Sequence, residues 1–284
     1  MDGLFSRVFL ENIHLTPDTI INMVLPDKNN ITGNSYSHDE LSVFNPDSIE
    51  SVARQLKITI FKVSKNDFSK YTNILKLSKP DIIIVACFPY KIPESIYNKP
   101  SYGAYNIHPS LLPAYRGPTP LFWQFYYGEK NTGVTIHALD SGFDTGDIVL
   151  QKKVSFDDGD TTIDATRKLS LAASRLFEQA IIDINKQQVN LIKQESSQAS
   201  YYSWPGKSEF ILNSNWKVRR AYNFICATRY WNHPYKIILG NNEEMEINDV
   251  LGYDVDLHLE NMVEIRSDQL VIQFYDGCLI ATGH

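Results

Sequence analysis

The chain has 284 residues, 43% of them hydrophobic and 21% charged, with a net charge of −6. That length exceeds one domain of ordinary size, and the acidic balance excludes a generally basic nucleic-acid binder while leaving room for a local basic patch. Cys87, Cys226 and Cys278 are far apart and lack disulfide-frame or metal-ligand spacing, as expected of reduced thiols in a cytoplasmic protein.

No apolar run approaches the roughly 18 residues that a membrane span needs, and the N-terminal residues lack the basic-then-apolar layout of a secretory signal. Residues 6–10 (Ser-Arg-Val-Phe-Leu) read as a first strand. Thr16 and Pro17 then suit the N-cap and first position of a helix to about residue 25. Residues 27–46, rich in Asp, Asn, Ser and Gly, read as loop. A helix over 47–56, a strand over 58–63, a helix over 68–77 and a buried strand over 81–86 follow. This alternation predicts an α/β fold with a Rossmann-like, mostly parallel sheet and right-handed crossovers. Ligands of such sheets sit at the carboxyl ends of the strands.

Two segments carry the chemistry. The first is Asn106-Ile107-His108-Pro109-Ser110-Leu111-Leu112-Pro113-Ala114-Tyr115-Arg116-Gly117, just beyond the buried strand. In extended chain, residues i and i+2 point the same way, so Asn106 and His108 can address one point. The second runs as a strand from residue 133 to 139 and breaks into a loop, Asp140-Ser141-Gly142-Phe143-Asp144-Thr145-Gly146-Asp147, whose glycines can hold a carboxylate against a ligand. An amide, an imidazole and a carboxylate converging on a pocket suit acyl transfer: donors for an oxyanion, and a carboxylate that orients the imidazole and raises its pKa. Taken alone, Asn-x-His also fits a strand-end histidine beside a turn-forming asparagine. His137, one residue out of phase with Ile136, is a further candidate to face the pocket. Arg116 suits either an acceptor phosphate or carboxylate or a structural salt bridge.

Residues 120–127 read as a helix whose Phe122, Trp123, Phe125, Tyr126 and Tyr127 pack into a core. A helix over 161–186 carries a stripe from Leu169 to Ile181 and closes a first domain of residues 1–195. A polar linker, 196–206, leads to a small domain, 207–284. Its first part holds Lys207, Lys217, Arg219, Arg220, Arg229 and Lys236 among aromatic residues. That pattern suits a surface for RNA or a nucleotide-sugar, or equally a solvated helix over an aromatic core. Strands are expected over 236–239, 262–266 and 269–274.

The complete strings Asn-Ile-His-Pro-Ser-Leu-Leu-Pro-x-Tyr-Arg-Gly and Gly-Val-Thr-Ile-His-x-x-Asp-x-Gly-x-Asp-Thr-Gly-Asp-Ile resemble the signature of the folate-dependent formyltransferases. The layout is nearest to methionyl-tRNA formyltransferase and the amino-sugar N-formyltransferases. The resemblance implies a formyltransferase catalytic domain with a small, β-rich, OB-like C-terminal domain. It implies N-formyl transfer from 10-formyltetrahydrofolate to a primary amine, with Asn106, His108 and Asp144 catalytic and no metal. It implies a folate pocket from Cys87, Phe88, Pro89, Tyr90 and Ile92, with Leu139 and Asp140 shaping the facing loop, and a cis bond at Pro113. Ser110 and Arg116 are candidate acceptor contacts. The implied acceptor is initiator methionyl-tRNA or a small-molecule amine such as an amino-sugar nucleotide. A 10-formyltetrahydrofolate hydrolase or an inactive folate-binding module would keep the same motif. The chain departs from the family where residues 11–14 (Glu-Asn-Ile-His) replace a small-residue turn. It departs again in the loop over 27–46, where Lys28 faces Asp27, Asp39 and Glu40.

Overall fold

The computed structural model describes residues 3–14, 16, 18–26, 48–65, 67–239 and 244–283; the loop expected over 27–46 lies outside them. In chain order the elements are α1 (Leu4–Glu11), β1 (Asn22–Pro26), α2 (Ile49–Gln55), β2 (Thr59–Val63), α3 (Phe68–Ser78) and β3 (Ile83–Ala86), then α4 (Glu94–Tyr97), β4 (Ala104–His108), α5 (Pro120–Tyr126), β5 (Asn131–Ala138), β6 (Ile148–Ser155) and α6 (Thr162–Asn185). After these come β7 (Ile211–Leu212), α7 (Val218–Thr228), β8 (Tyr235–Ile238), β9 (Glu244–Asp254), β10 (Val263–Arg266), β11 (Gln269–Phe274) and β12 (Gly277–Gly283). The chain divides into two units. One comprises Met1–Pro118, Thr132–Val154 and Thr166–Tyr202, the other Thr119–Asn131, Ser155–Ala165 and Ser203–His284.

In the first unit β1 pairs parallel with β2, and β3 parallel with β4, as the strand–helix alternation predicts. Strands β3-β4-β5-β6 form one sheet in that order, with β4 and β5 antiparallel. The helix starts follow local chemistry: the Ser48 side chain accepts from Ser51 N–H at the start of α2, and Asp67 from Lys70 N–H at the start of α3. Strand β5 lies between two partners, and Thr132, Val134, Thr135, Ile136 and His137 are all buried. Strand β3 is half-buried where its unbroken apolar run predicted full burial, because it forms the edge of its sheet.

Two expectations near the N-terminus are corrected. Residues 6–10 belong to helix α1, which buries Phe5, Val8, Phe9 and Leu10. The decisive pair is Phe5 and Phe9, one helical turn apart, and Phe9 packs edge-on against Phe177 of α6, ring centres 5.4 Å apart. The helix expected over 16–25 is replaced by a turn, Thr19 N–H to Thr16 O, and then strand β1. Pairing with β2 in register, and burial of Leu25 among Ile49, Val52 and Ala53, outweigh the Thr-Pro start signal.

The second unit is built around an aromatic core. Phe122 of α5 meets Trp123, Phe210, Phe224 and Trp231 with ring centres 5.0–5.6 Å apart. The core-packing reading of the aromatic helix therefore holds. The Arg220 guanidinium lies 3.7 Å over the Trp216 ring and donates through Nε to Tyr126 O. A six-stranded sheet runs β10-β11-β12-β9-β8-β7, antiparallel except for β7 beside β8. Of its strands, β7, β9 and β12 were not expected. Strand β7 is two residues long, β9 is interrupted by polar residues, and β12 begins and ends on glycine, which reads as turn.

All four tryptophans, Trp123, Trp204, Trp216 and Trp231, lie in the second unit, so their fluorescence follows its unfolding. Phe122→Ala removes the ring at the centre of that core and should cost about 3–5 kcal/mol, read as a lower urea midpoint by tryptophan emission. An unchanged midpoint would remove Phe122 from the core.

Candidate active site

The site stands where β4 ends. Asn106 and His108 share one face of that strand, and β5 lies antiparallel to it, with Asn106 opposite His137 and His108 opposite Thr135. This pairing carries the His137 imidazole to the Asn106 amide. The loop after β5 then turns back, and Asp144 adopts a left-handed backbone, φ 57°, that aims its carboxylate at all three. Gly146 is required there, since a Cβ would fall 1.8 Å from Ala138 O.

Asp144 is the hub. Its Oδ1 accepts from Asn106 Nδ2 at 3.1 Å and lies 3.5 Å from both His108 Nδ1 and His137 Nε2. Its Oδ2 accepts from Gly117 N–H at 3.0 Å. Gly117 has φ 113°, and a Cβ there would sit 2.1 Å from Tyr202 O, so only glycine brings this N–H to the carboxylate. Burial alone would push the Asp144 pKa up, but the hydrogen bond from His137, the charge of His108 and the Gly117 N–H bring it down to about 2. Asp144 is therefore ionised at any physiological pH.

The two imidazoles differ. His137 Nδ1 lies 2.9 Å from Ala138 O and so carries a proton; neutral Nε2 then accepts from Asn106 Nδ2 at 3.1 Å, while protonated Nε2 donates to Asp144. His108 is buried, and its Nε2–H donates to Tyr115 O at 2.8 Å, leaving neutral Nδ1 bare towards Asp144. Burial pushes the His108 pKa below its ordinary value. The attraction of Asp144 and the bond to Tyr115 O pull it up without reversing the shift, and His137 adds to the lowering. The carboxylate raises this pKa as expected, but desolvation of the imidazolium is the larger effect, so the expectation that Asp144 keeps His108 charged is corrected.

The loops on either side carry the residues expected to form the folate pocket. Cys87 turns the chain out of β3 with φ 54°, and Phe88 and Tyr90 meet edge to face at 5.4 Å. Pro89 is exposed and Ile92 is packed partly beneath, beside Ile96. Lys91 Nζ donates to Ser141 O at 2.5 Å and lies 5.4 Å from the centre of the exposed Phe143 ring. This ties the 87–92 loop to the 139–145 loop. Leu139 N–H donates to Ala104 O, and the Asp140 carboxylate accepts from Gly142 N–H and the Thr145 hydroxyl, shaping that loop from within.

The two candidate acceptor contacts are otherwise engaged. Ser110 is fully buried and its hydroxyl donates to Ala114 O. The Arg116 guanidinium donates from Nε and Nη2 to Gln194 Oε1 at 3.1 and 2.7 Å. Leu112–Pro113 is cis. The loop around it rests on Thr135, whose hydroxyl donates to Ser110 O and accepts from Leu112 N–H. His137 and Gly117 were visible in the motif strings. Gln194 was not, since nothing in its neighbours marks it.

The match to methionyl-tRNA formyltransferase of Thermodesulfovibrio yellowstonii is 31% identical over 72% of this chain and 66% of that one. The match to the same enzyme of Acetivibrio thermocellus is 27% identical over 72% and 65%. The matched stretch thus spans about two thirds of these relatives. The fold resembles that of an N-formyltransferase from Helicobacter canadensis solved in complex with folinic acid and dTDP-3-aminofucose. Its TM-score is 0.59, with 20% identity over 98% of this chain and 94% of that one. With the formyl transferase family model matched across residues 14–181, over half of the sequence, the chain belongs to the formyl transferase family.

Proposed function

We propose that the chain transfers a formyl group from 10-formyltetrahydrofolate to a primary amine. The observation that carries this reading is the convergence of Asn106 and His108 at the end of β4 on one carboxylate oxygen of Asp144, at 3.1 and 3.5 Å. The 87–92 and 139–145 loops beside it would receive the pterin.

The neutral amine attacks the formyl carbon, and the carbonyl π electrons move to oxygen. Asn106 Nδ2 donates to that oxyanion, exchanging one of its present bonds. The proton shed by the attacking nitrogen passes to His108 Nδ1, which is bare at rest. The resulting imidazolium is balanced by ionised Asp144 and stabilises the oxyanion. His108 then returns the proton to N10 as the C–N10 bond breaks, leaving the formamide and tetrahydrofolate.

A small-molecule amine, such as an amino-sugar nucleotide, is the favoured acceptor. Four of the six basic residues that could form an RNA surface are engaged inside the second unit. Arg219 pairs with Asp158, Arg229 with Asp249 and Lys236 with Glu244, while Arg220 covers Trp216. Phosphate contacts dominate nucleic-acid affinity, so pairing these charges weakens a tRNA reading. Methionyl-tRNA, the acceptor in the names of the curated relatives, is the second reading. Among the described residues no helix is long and apolar enough to cross a membrane. The cysteines, all unpaired, are consistent with a cytoplasmic setting.

Release of tetrahydrofolate, followed by absorbance with amino-sugar nucleotides, charged initiator tRNA or no acceptor, should show turnover with a sugar. Turnover with tRNA alone would reverse the choice of acceptor, and turnover without acceptor would make the enzyme a hydrolase. His108→Ala and Asp144→Asn should each lower turnover by about a hundredfold or more, with folate affinity by calorimetry largely kept; full activity in either would overturn the mechanism.

The histidine also leaves a mark on stability. Its folded pKa is lowered, so the unfolded chain binds a proton that the folded chain refuses, and stability falls as pH drops below about 6.5. Melting followed by circular dichroism from pH 7.5 to 5.5 should show a smaller loss for His108→Gln than for the unmodified chain. Equal slopes would mean that burial of His108 is not what shifts it.

A further inference from the structure

Residues 191–198 follow helix α6 and lie on the surface of the first unit; all are exposed except Gln194, which is half-buried. The segment is pinned near its start, where Ile192 and Ile148 exchange both backbone hydrogen bonds. It is pinned again just after, where Arg116 N–H donates to Ser200 O and Tyr202 N–H donates to Arg116 O. Between these pins the Gln194 side chain turns inward and uses its whole bonding capacity. Its oxygen accepts both Arg116 donors, and its Nε2 donates to Asp144 O at 2.9 Å and Gly146 O at 2.7 Å. The amide orientation follows from this network, because a guanidinium can meet only the oxygen and two carbonyls can meet only the NH2.

Asp144 needs such support. A left-handed backbone at a non-glycine residue costs roughly 1–3 kcal/mol and persists only where surrounding contacts over-determine it. The carboxylate is gripped by Gly117 N–H and the peptide carbonyl behind it by Gln194. Both grips lead to the Arg116-Gly117 corner, and Arg116 is itself held by Gln194 and by the 200–202 backbone. Removing the Gln194 amide would free the main chain of the loop that carries the hub of the site, without touching any group that faces the ligand.

We propose that Gln194 is a positioning residue for catalysis: clamped by Arg116, it fixes the 144–146 main chain and so sets the Asp144 carboxylate against His108 and Asn106. This rests on the formyl-transfer reading, and it gives Arg116 a task in building the site.

The test compares Gln194→Met, which keeps length but neither accepts nor donates as the amide does, with Gln194→Glu, which keeps the Arg116 pair and loses both donors. Both should lower kcat by about tenfold to a hundredfold, as for a catalytic group displaced by an ångström or less, with KM for the folate within about twofold. The second readout is independent of turnover: in an NMR titration of the His108 imidazole without substrate, both variants should move the midpoint to lower pH, since the carboxylate that raises it has drifted. Should Gln194→Met not fold, Gln194→Glu carries both measurements. A wild-type kcat or a wild-type His108 midpoint in a folded variant would overturn the proposal. If the unmodified chain turns over no acceptor, the formyl-transfer reading falls, and the His108 midpoint alone decides the role of Gln194.

Discussion

An ionised carboxylate with little solvent must be surrounded by donors, and the first unit is arranged so that Asp144 is. Water is largely excluded from it, so its charge is met by the Asn106 amide and the Gly117 N–H, with the His137 and His108 imidazoles 3.5 Å away. These groups are fixed by several parts of the chain. Strand β4 presents Asn106 and His108, antiparallel pairing brings in His137, and a corner that only glycine can form delivers Gly117. Loss of any one leaves a buried charge short of a partner, which costs more than the bond itself is worth. The same charge that makes the site costly to build makes it suited to hold an imidazolium during a reaction.

The histidine beside it is governed by the opposite balance. At 3.5 Å, without a short hydrogen bond at Nδ1, Asp144 does not compensate His108 for the hydration it has lost. The resting pair is a neutral imidazole next to a carboxylate, able to accept a proton because the countercharge is already in place. Such an arrangement supplies a base at rest and a cation when an oxyanion forms, with little reorganisation.

The two units divide the labour by residue chemistry. The first uses the buried Thr135 and Ser110, together with the exposed Gln151, to hold one loop that no regular hydrogen-bond ladder supports. The second packs aromatic rings and pairs its arginines with carboxylates or rings of its own. Basic residues that look free along the sequence are therefore largely engaged in the fold.

The sequence by itself determined the parallel α/β alternation between residues 47 and 108, the two motif segments and the shared face of Asn106 and His108, while the choice of Asp144 among the neighbouring carboxylates came from the family resemblance. Period, capping chemistry and an i, i+2 relation are local properties, and they survive whatever the rest of the chain does. Only the tertiary structure decided the N-terminal elements, where Phe5 completes a helical face against α6 and Leu25 joins a strand because β2 is there to pair with it. It also decided the charge of His108, which depends on burial by residues distant in sequence, and the engagement of Ser110 and Arg116 within the scaffold. Gln194 lies 50 residues from the carbonyl it holds. A hydrogen bond between such distant residues leaves no period, spacing or composition in the sequence, and only the folded chain reveals it.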